Sequence, residues 1–240
     1  MIKKPLIIAV DGPSSSGKGT LAEKIAKYFN LAYLNSGALF RAVAMQIIES
    51  QIELEKLNIH LEKLVNNLHN YNLENPQLFS EEVGVIASQI AKNQTLRDYL
   101  LKFQRDFISI NQQPNCKYNG AIIDGRDIAS IVYPQADIKF FIIADLEIRA
   151  KRRFAQLVKN NPNLEYQTIF KQLESRDSND INRINAPLIK VADAIIIDNG
   201  TQTIDQSFDE MSKIITKFNI YYKSNCKIFY TRITRLFKKL

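Results

Sequence analysis

The sequence predicts an α/β protein on a five-stranded parallel sheet flanked by helices, and three observations carry that expectation. Five short apolar runs alternate with stretches of helical periodicity, the pattern of a doubly wound sheet. The runs are almost continuously apolar, as strands covered on both faces are. Three of them end in, or lead directly to, an aspartate (Asp11, Asp124 and Asp145), and ligands of such sheets bind beyond the carboxyl ends of the strands.

Taken in order, Leu6–Val10 is the first strand. The lysines before it give the N-terminus a likeness to a signal peptide, but the apolar run is short, enters Asp11-Gly12-Pro13, and meets no small-residue cleavage site. A helix follows Gly17, with Leu21, Ile25 and Phe29 on one stripe. Leu31–Leu34 is the second strand, and a helix from Ser36 to about Ser50 carries Leu39, Val43 and Ile47 at helical spacing. Leucines between residues 52 and 70 give another helical stripe. Residues 70–80 read as a loop broken by Pro76, after which Ser80 caps a helix with Glu81 and Glu82 in its first turn. Thr95 and Asp98 form a capping-type pair for the next, with Leu96, Leu100, Phe103 and Phe107 inward. Ala121–Asp124 and Ile138–Ile143 are the third and fourth strands. The helical stretch of residues 38–110 is too long for one crossover and predicts an inserted subdomain. A second insertion, about 146–185, holds two helical patterns flanking Asn160-Asn161-Pro162-Asn163, and Ala194–Asp198 is the fifth buried strand.

Composition narrows the class. With 45% apolar and 24% charged residues, the chain has enough apolar surface to bury and is not disordered as a whole. Eight glycines and two cysteines exclude collagen-like and disulfide-scaffold readings. Cys116 and Cys226 form no spaced cluster with either histidine, which points to a reduced, cytoplasmic protein. No apolar run reaches the roughly 18–20 residues of a membrane span. The net charge of +7 belongs to the end of the chain: residues 211–240 hold eight Lys/Arg and no Asp/Glu, against 24 and 25 in residues 1–210. The body therefore lacks the footprint of a nucleic-acid binder, and no nucleic-acid partner is expected. Residues 1–222 are expected to form the domain. Residues 223–240 form a basic extension whose Phe229, Ile233, Leu236 and Leu240 can share a helical face. An extension without function is preferred there over a membrane-surface contact.

The strongest motif is Gly12-Pro13-Ser14-Ser15-Ser16-Gly17-Lys18-Gly19-Thr20, between a strand and a helix. Small residues let backbone N–H groups converge on phosphate oxygens, the helix N-terminus adds positive charge, and Lys18 can reach the outer phosphates. Gly19 stands where the strict pattern has a hydroxyl, which passes to Thr20. The fold is therefore P-loop NTPase-like. Asp124 ends a buried strand, where it can organise Mg²⁺ and its waters together with Thr20. Gly125 lets the chain turn so that Arg126 emerges at the strand end. Ser36 sits where its hydroxyl can cap a helix, with Arg41 one to two turns along; a cap and a surface arginine give the same spacing. Arg176, Asp180 and Arg183 fall on one helix face that Ile169 and Leu173 precede, a stripe turning from apolar to charged as it leaves a core for a cleft. Arg149, Arg152 and Arg153 also share a face, and Arg149 and Arg153 read as ordinary surface charges.

The variant loop, with Asn35-Ser36-Gly37-Ala38-Leu39-Phe40-Arg41, Asp124-Gly125-Arg126-Asp127, Arg176 to Arg183 and Ala186-Pro187, resembles the bacterial cytidylate kinases among the nucleoside monophosphate kinases, from about residue 6 to about 220. The resemblance implies Mg²⁺-dependent phosphoryl transfer from ATP to CMP or dCMP by a monomer, with a helical lid. Gly12 to Thr20 would hold ATP, and Lys18, Arg126, Arg152 and Arg176 would surround the transferring group. Ser36 and Arg41 would hold the acceptor nucleotide, Ser88, Arg97 and Asp127 would read its base, and Asp180 and Arg183 its ribose. Ser88 and Arg97 rest on the resemblance alone, being ordinary helix residues otherwise. The stretch before Ser88 is too short for the family's small β-rich insertion, so a trimmed, mostly helical acceptor subdomain is expected. Asn179 and Ile181 stand where the family commonly has charged residues. Rival readings are a kinase of this fold with another acceptor (UMP, AMP or another small molecule), a nucleotide-binding module without transfer chemistry, and a binder driven by the basic tail.

Overall fold

The computed structural model describes residues 5–113, 115–159 and 162–218. The extension at 223–240 lies outside the described residues, as do Cys226 and the Asn160-Asn161 pair. Strand β1 (Leu6–Asp11) leads through the glycine-containing loop into helix α1 (Lys18–Phe29); β2 (Ala32–Asn35) runs directly into α2 (Ser36–Glu49). Then come α3 (Leu57–Asn66), α4 (Glu81–Ile90) and α5 (Gln94–Asn111), β3 (Gly120–Gly125), a single π-helical turn (Ile128–Val132) and β4 (Ile138–Ile143). The helices α6 (Leu146–Leu157) and α7 (Tyr166–Asn182), β5 (Ile195–Asp198) and helix α8 over 204–218 complete the described chain.

All pairings are parallel, in the order β2-β3-β1-β4-β5. The chain leaves the central β1 for the β2 edge, then winds back through β3 and crosses β1 to β4 and β5, so the winding reverses about β1 and the switch point, with the expected ligand crevice, falls at its carboxyl end. The register brings Asn35, Asp124 and Val10 level there, with Asp11 beside Gly125. Side-chain alternation along β1 splits the core in two. Ile7 and Ala9 join Leu34, Ala121 and Ile123 under α2 to α5; Leu6, Ile8 and Val10 join Ile122, Phe140, Ile142 and Ile197 under α1 and α8. A third cluster, centred on Ala150, Ile169 and Leu173, holds α6 against α7, so this hairpin has a core of its own.

Several local expectations are corrected. The fifth run is an edge strand in which Ile195 and Ile196 are exposed and only Ile197 is fully buried, because one side has no neighbouring strand among the described residues. Asn93, not Thr95, caps α5, its side chain accepting from Leu96 N at 2.9 Å. Asn35, not Ser36, caps α2, accepting from Ala38 N at 3.0 Å, which leaves the Ser36 hydroxyl for another use. Pro76 does not merely break the chain: it starts a 3₁₀ turn, Pro76–Phe79, whose Leu78 is fully buried. Residues 36–119 contain no strand among the described residues.

The end of β1 is fixed by Asp11, which is buried and accepts from Ile128 N at 2.9 Å and Ala129 N at 2.8 Å, at the start of the π turn. At the other end of that turn Arg105 donates to the carbonyls of Ile131 and Val132, both at 3.0 Å. Carboxylate at the N-terminus and guanidinium at the C-terminus oppose the turn's dipole. Burial pushes the Asp11 carboxyl up to about 6 against the two backbone hydrogen bonds. The native state then binds this proton more tightly than the unfolded chain, so the Asp11 contribution to stability is greatest below about pH 4 and is lost as pH rises through about 6. In urea unfolding, the stability of wild type minus that of Asp11→Asn should fall by about 2 kcal/mol between about pH 4.5 and 7.5; a difference independent of pH would contradict it.

Candidate active site

The loop after β1 owes its path to close backbone approach. Gly12 has φ 153°, and a Cβ there would lie 2.3 Å from the Ile142 carbonyl oxygen of β4. Gly17 has φ 87°, and its Cβ would lie 2.2 Å from Asn199 Nδ2. Two buried side chains hold the loop from outside. Asn199, after β5, donates to Ser16 O at 2.7 Å and accepts from the Ser207 hydroxyl at 3.0 Å. Arg149, only 5% exposed, donates to Ser14 O at 3.0 Å and Ala144 O at 2.8 Å and pairs with Asp177 at 2.6 Å. Asp177 also accepts from Ser14 N at 3.4 Å. Arg149 is therefore not a surface charge: it ties the loop, the end of β4 and α7 together. Sequence reasoning missed Asn199 and the part played by Arg149; an arginine four residues after the strand-end Asp145 was the available sign.

Most of the predicted residues gather along one cleft of about 1720 Å³, lined by the loop, the carboxyl ends of β2 and β3, α4, α6 and α7; Gly12, Pro13 and the fully buried Ser16 do not line it. Single-ligand pockets are about 300–1,000 Å³, so the space exceeds what one small ligand needs. Gly17, Lys18, Gly19 and Thr20 line it at the start of α1, with Ser14 and Ser15. The Lys18 ammonium donates to Pro13 O at 3.1 Å, and burial and Arg126 push its pKa down. Asp124 is buried at the end of β3 and accepts from the Tyr33 hydroxyl at 2.8 Å; burial raises its carboxyl while Lys18 opposes the rise.

Opposite lies a belt of arginines. Arg126 donates through Nε to Asp180 at 2.7 Å; burial works against its charge, but Asp180 and Asp124 outweigh that and raise it. The Asp180 carboxyl is held below its usual range by Arg126 and Arg176 in spite of burial. Arg176 makes no hydrogen bond or ion pair with another described residue, and burial with Arg126 pushes it down to about 10. Arg41 donates to Leu78 O at 2.6 Å and Ser80 O at 3.2 Å, with the Phe79 ring centroid 5.5 Å from its guanidinium. Burial, then Arg176 and Arg153, push it down to about 9. Arg152 is exposed on α6 and lines the cleft; Arg153, the second supposed surface charge, reaches Phe79 O at 3.0 Å.

At the far end Arg97 and Asp127, both buried, form an ion pair, and Arg97 also lies over the Phe40 ring. Ser88 lines the same end. Arg183 was expected on the α7 face; the helix stops at Asn182, and Arg183 turns out in extended conformation. Its side chain still comes back, 3.7 Å from Asp127 and from Asp180, because Ala186 O accepts its Nε–H at 2.6 Å. Ser36 is buried beside Gly125, where a Cβ would lie 2.4 Å from its hydroxyl oxygen.

Among the described residues no three His, Cys, Asp or Glu side chains cluster as a metal site, and no helix is long and apolar enough to cross a membrane. Thr20 and Asp124 offer one hydroxyl and one carboxylate. That set fits a Mg²⁺ ion, which takes one or two protein oxygens and completes its shell with phosphate oxygens and water.

A family model described as cytidylate kinase matches residues 8–217. A cytidylate kinase of Bartonella henselae is 39% identical over 209 residues, covering 85% of this chain and 92% of the relative. One of Acidiphilium cryptum is 36% identical over 214 residues, covering 89% and 97%. A solved structure of an uncharacterized protein from Eubacterium ventriosum covers 89% of this chain and 99% of its own, with TM-score 0.53 at 17% identity, a likeness of fold alone. With a phosphate loop and an arginine belt facing across one cleft, and with these relatives, the chain belongs to the cytidylate kinase family.

Proposed function

We propose that the protein transfers the γ-phosphoryl group of ATP to CMP and dCMP, giving ADP and the corresponding diphosphate. The observation that carries this reading is the shared cleft: the phosphate loop at one end, the Arg97–Asp127 pair at the other, and Arg41, Arg126 and Arg176 between. Cytosine presents an exocyclic amino donor beside a ring acceptor. Asp127 can accept from the amino group, its carboxylate held by Arg97 and approached by Arg183, while Arg97 and Ser88 donate to the ring. Uracil would set a carbonyl oxygen against the same carboxylate, an unpaired buried contact that such sites reject strongly.

The phosphate of CMP is largely ionised near neutral pH, so no strong general base is required. Catalysis is positioning and charge stabilisation. Ser36 and Arg41 hold the acceptor phosphate, Arg41 by its planar fork. Lys18, Arg126, Arg152 and Arg176 receive the charge of the transferring group. Mg²⁺, held through Thr20, Asp124 and water, would neutralise phosphate charge. Asp180 and Arg183 meet the ribose, and Asp180 also orients Arg126. The α6–α7 hairpin excludes water, which would otherwise accept the phosphoryl group.

Three outcomes test this. ADP formation from Mg-ATP with CMP, dCMP, UMP, AMP and GMP as separate acceptors should show preference for CMP and dCMP over UMP by about a hundredfold or more; equal rates with UMP would remove the base-reading set. Lys18→Ala and Arg176→Ala should each lower kcat at least about a hundredfold, roughly 2.7 kcal/mol, and near-normal turnover in either folded variant would dismiss its role. Asp180→Ala should raise the CMP KM and, because Arg126 loses its carboxylate partner, also lower kcat. An effect on neither removes Asp180 from the site.

A further inference from the structure

The Pro76–Phe79 turn and Ser80 do more than join α3 to α4. Leu78 anchors this strap in the core at 0% exposure. Its three successive carbonyls, Leu78, Phe79 and Ser80, all accept from arginines, and these arginines come from two sides of the cleft. Arg41 of α2 takes Leu78 O and Ser80 O through Nη1 alone. Arg153 of α6 takes Phe79 O at 3.0 Å. No hydrogen bond joins Arg41 Nε or Nη2 to another described residue, so the strap holds one nitrogen and leaves the rest of the fork for an anion. Gly84 completes the seat: a Cβ there would lie 3.1 Å from Arg41 Nη2. Four residues before Arg153 on the same helix, Arg149 bonds Ser14 O of the phosphate loop. One continuous path of contacts therefore runs from the loop through α6 to the strap and Arg41.

We propose that the strap couples the α6–α7 hairpin to the acceptor-phosphate site, with Arg153 and Phe79 as positioning residues that set the Arg41 guanidinium. The proposal rests on the reading of Arg41 as a ligand of the CMP phosphate. When α6 is seated, Arg153 fixes Phe79 O, and the carbonyls on either side hold Arg41 at its place. When α6 lifts, the strap loses that donor and Arg41 loses its register. A fork out of register loses its paired hold on the acceptor phosphate, which weakens CMP binding.

The test compares wild type, Arg153→Ala and Arg153→Lys. Steady-state rates are measured with CMP and ATP varied, and CMP binding is measured by calorimetry with and without a non-hydrolysable ATP analogue. The analogue should tighten CMP binding to wild type. Arg153→Ala should lose that tightening and raise the CMP KM about tenfold, the scale of one charge-assisted hydrogen bond, with kcat and the ATP KM changed far less. Arg153→Lys should recover most of both effects, since one N–H suffices for Phe79 O. No tightening in wild type would overturn the proposal, as would an Arg153→Ala protein with wild-type CMP KM and tightening. So would an equal loss in every constant that lysine does not rescue. Wild type that fails to phosphorylate CMP would instead overturn the functional reading, and the proposal with it.

Discussion

The cleft depends on one buried guanidinium. Arg149 spends its donors on the carbonyls of Ala144 and Ser14 and on the Asp177 carboxylate. Burying such a charge is tolerable only when its hydrogen bonds are made and an opposite charge lies beside it. The arrangement has a consequence for the phosphate loop. A loop that cradles anions must turn its N–H groups inward and its carbonyls outward, and outward carbonyls buried in protein need donors. Arg149 supplies one for Ser14 and Asn199 one for Ser16. Through Asp177 the same arginine fixes α7, the helix that carries Arg176 and Asp180. Donor and acceptor halves of the cleft are thus held in register by a side chain that belongs to neither.

What the sequence made legible followed from short-range rules. The strands were readable because β1 is buried at every position and so reads as an unbroken apolar run. The loop was readable because few residue types permit the close approaches at Gly12 and Gly17. What stayed hidden depends on where distant elements meet. Arg149 and Arg153 have the spacing of surface charges, and only the docking of α6 on the loop and on the strap gives each its partner. Asn93 and Thr95 are both acceptable caps; the choice fell to the residue whose side chain reaches Leu96 N. The helix ends before Arg183, and only the meeting of Asp127, Asp180 and the Ala186 carbonyl returns its guanidinium to the cleft, which a helical stripe does not show. The exposed isoleucines of β5 show the converse: an apolar run records propensity for a strand, and its position at the sheet edge then decides how much of it is covered.

The charges of the cleft divide by what the protein has already done for them. Arg126 has Asp180 as a close partner and Asp124 nearby, and its charge is stabilised despite burial. Lys18 and Arg41, buried, and Arg176, half-buried, stand near other cations, and each is pushed down. Cations left in that state are the ones whose energy falls most when anions arrive. They also lie where the reading above puts phosphates: Lys18 at the donor, Arg41 at the acceptor and Arg176 between. Phosphoryl transfer from a nucleoside triphosphate to a monophosphate moves negative charge along the cleft without altering its total. A fixed belt of cations spanning both ends therefore remains matched to reactants and products alike, and stabilises most strongly the state in which the moving group sits midway. The same belt serves either direction of transfer, which is what a reaction between chemically similar phosphoanhydrides requires.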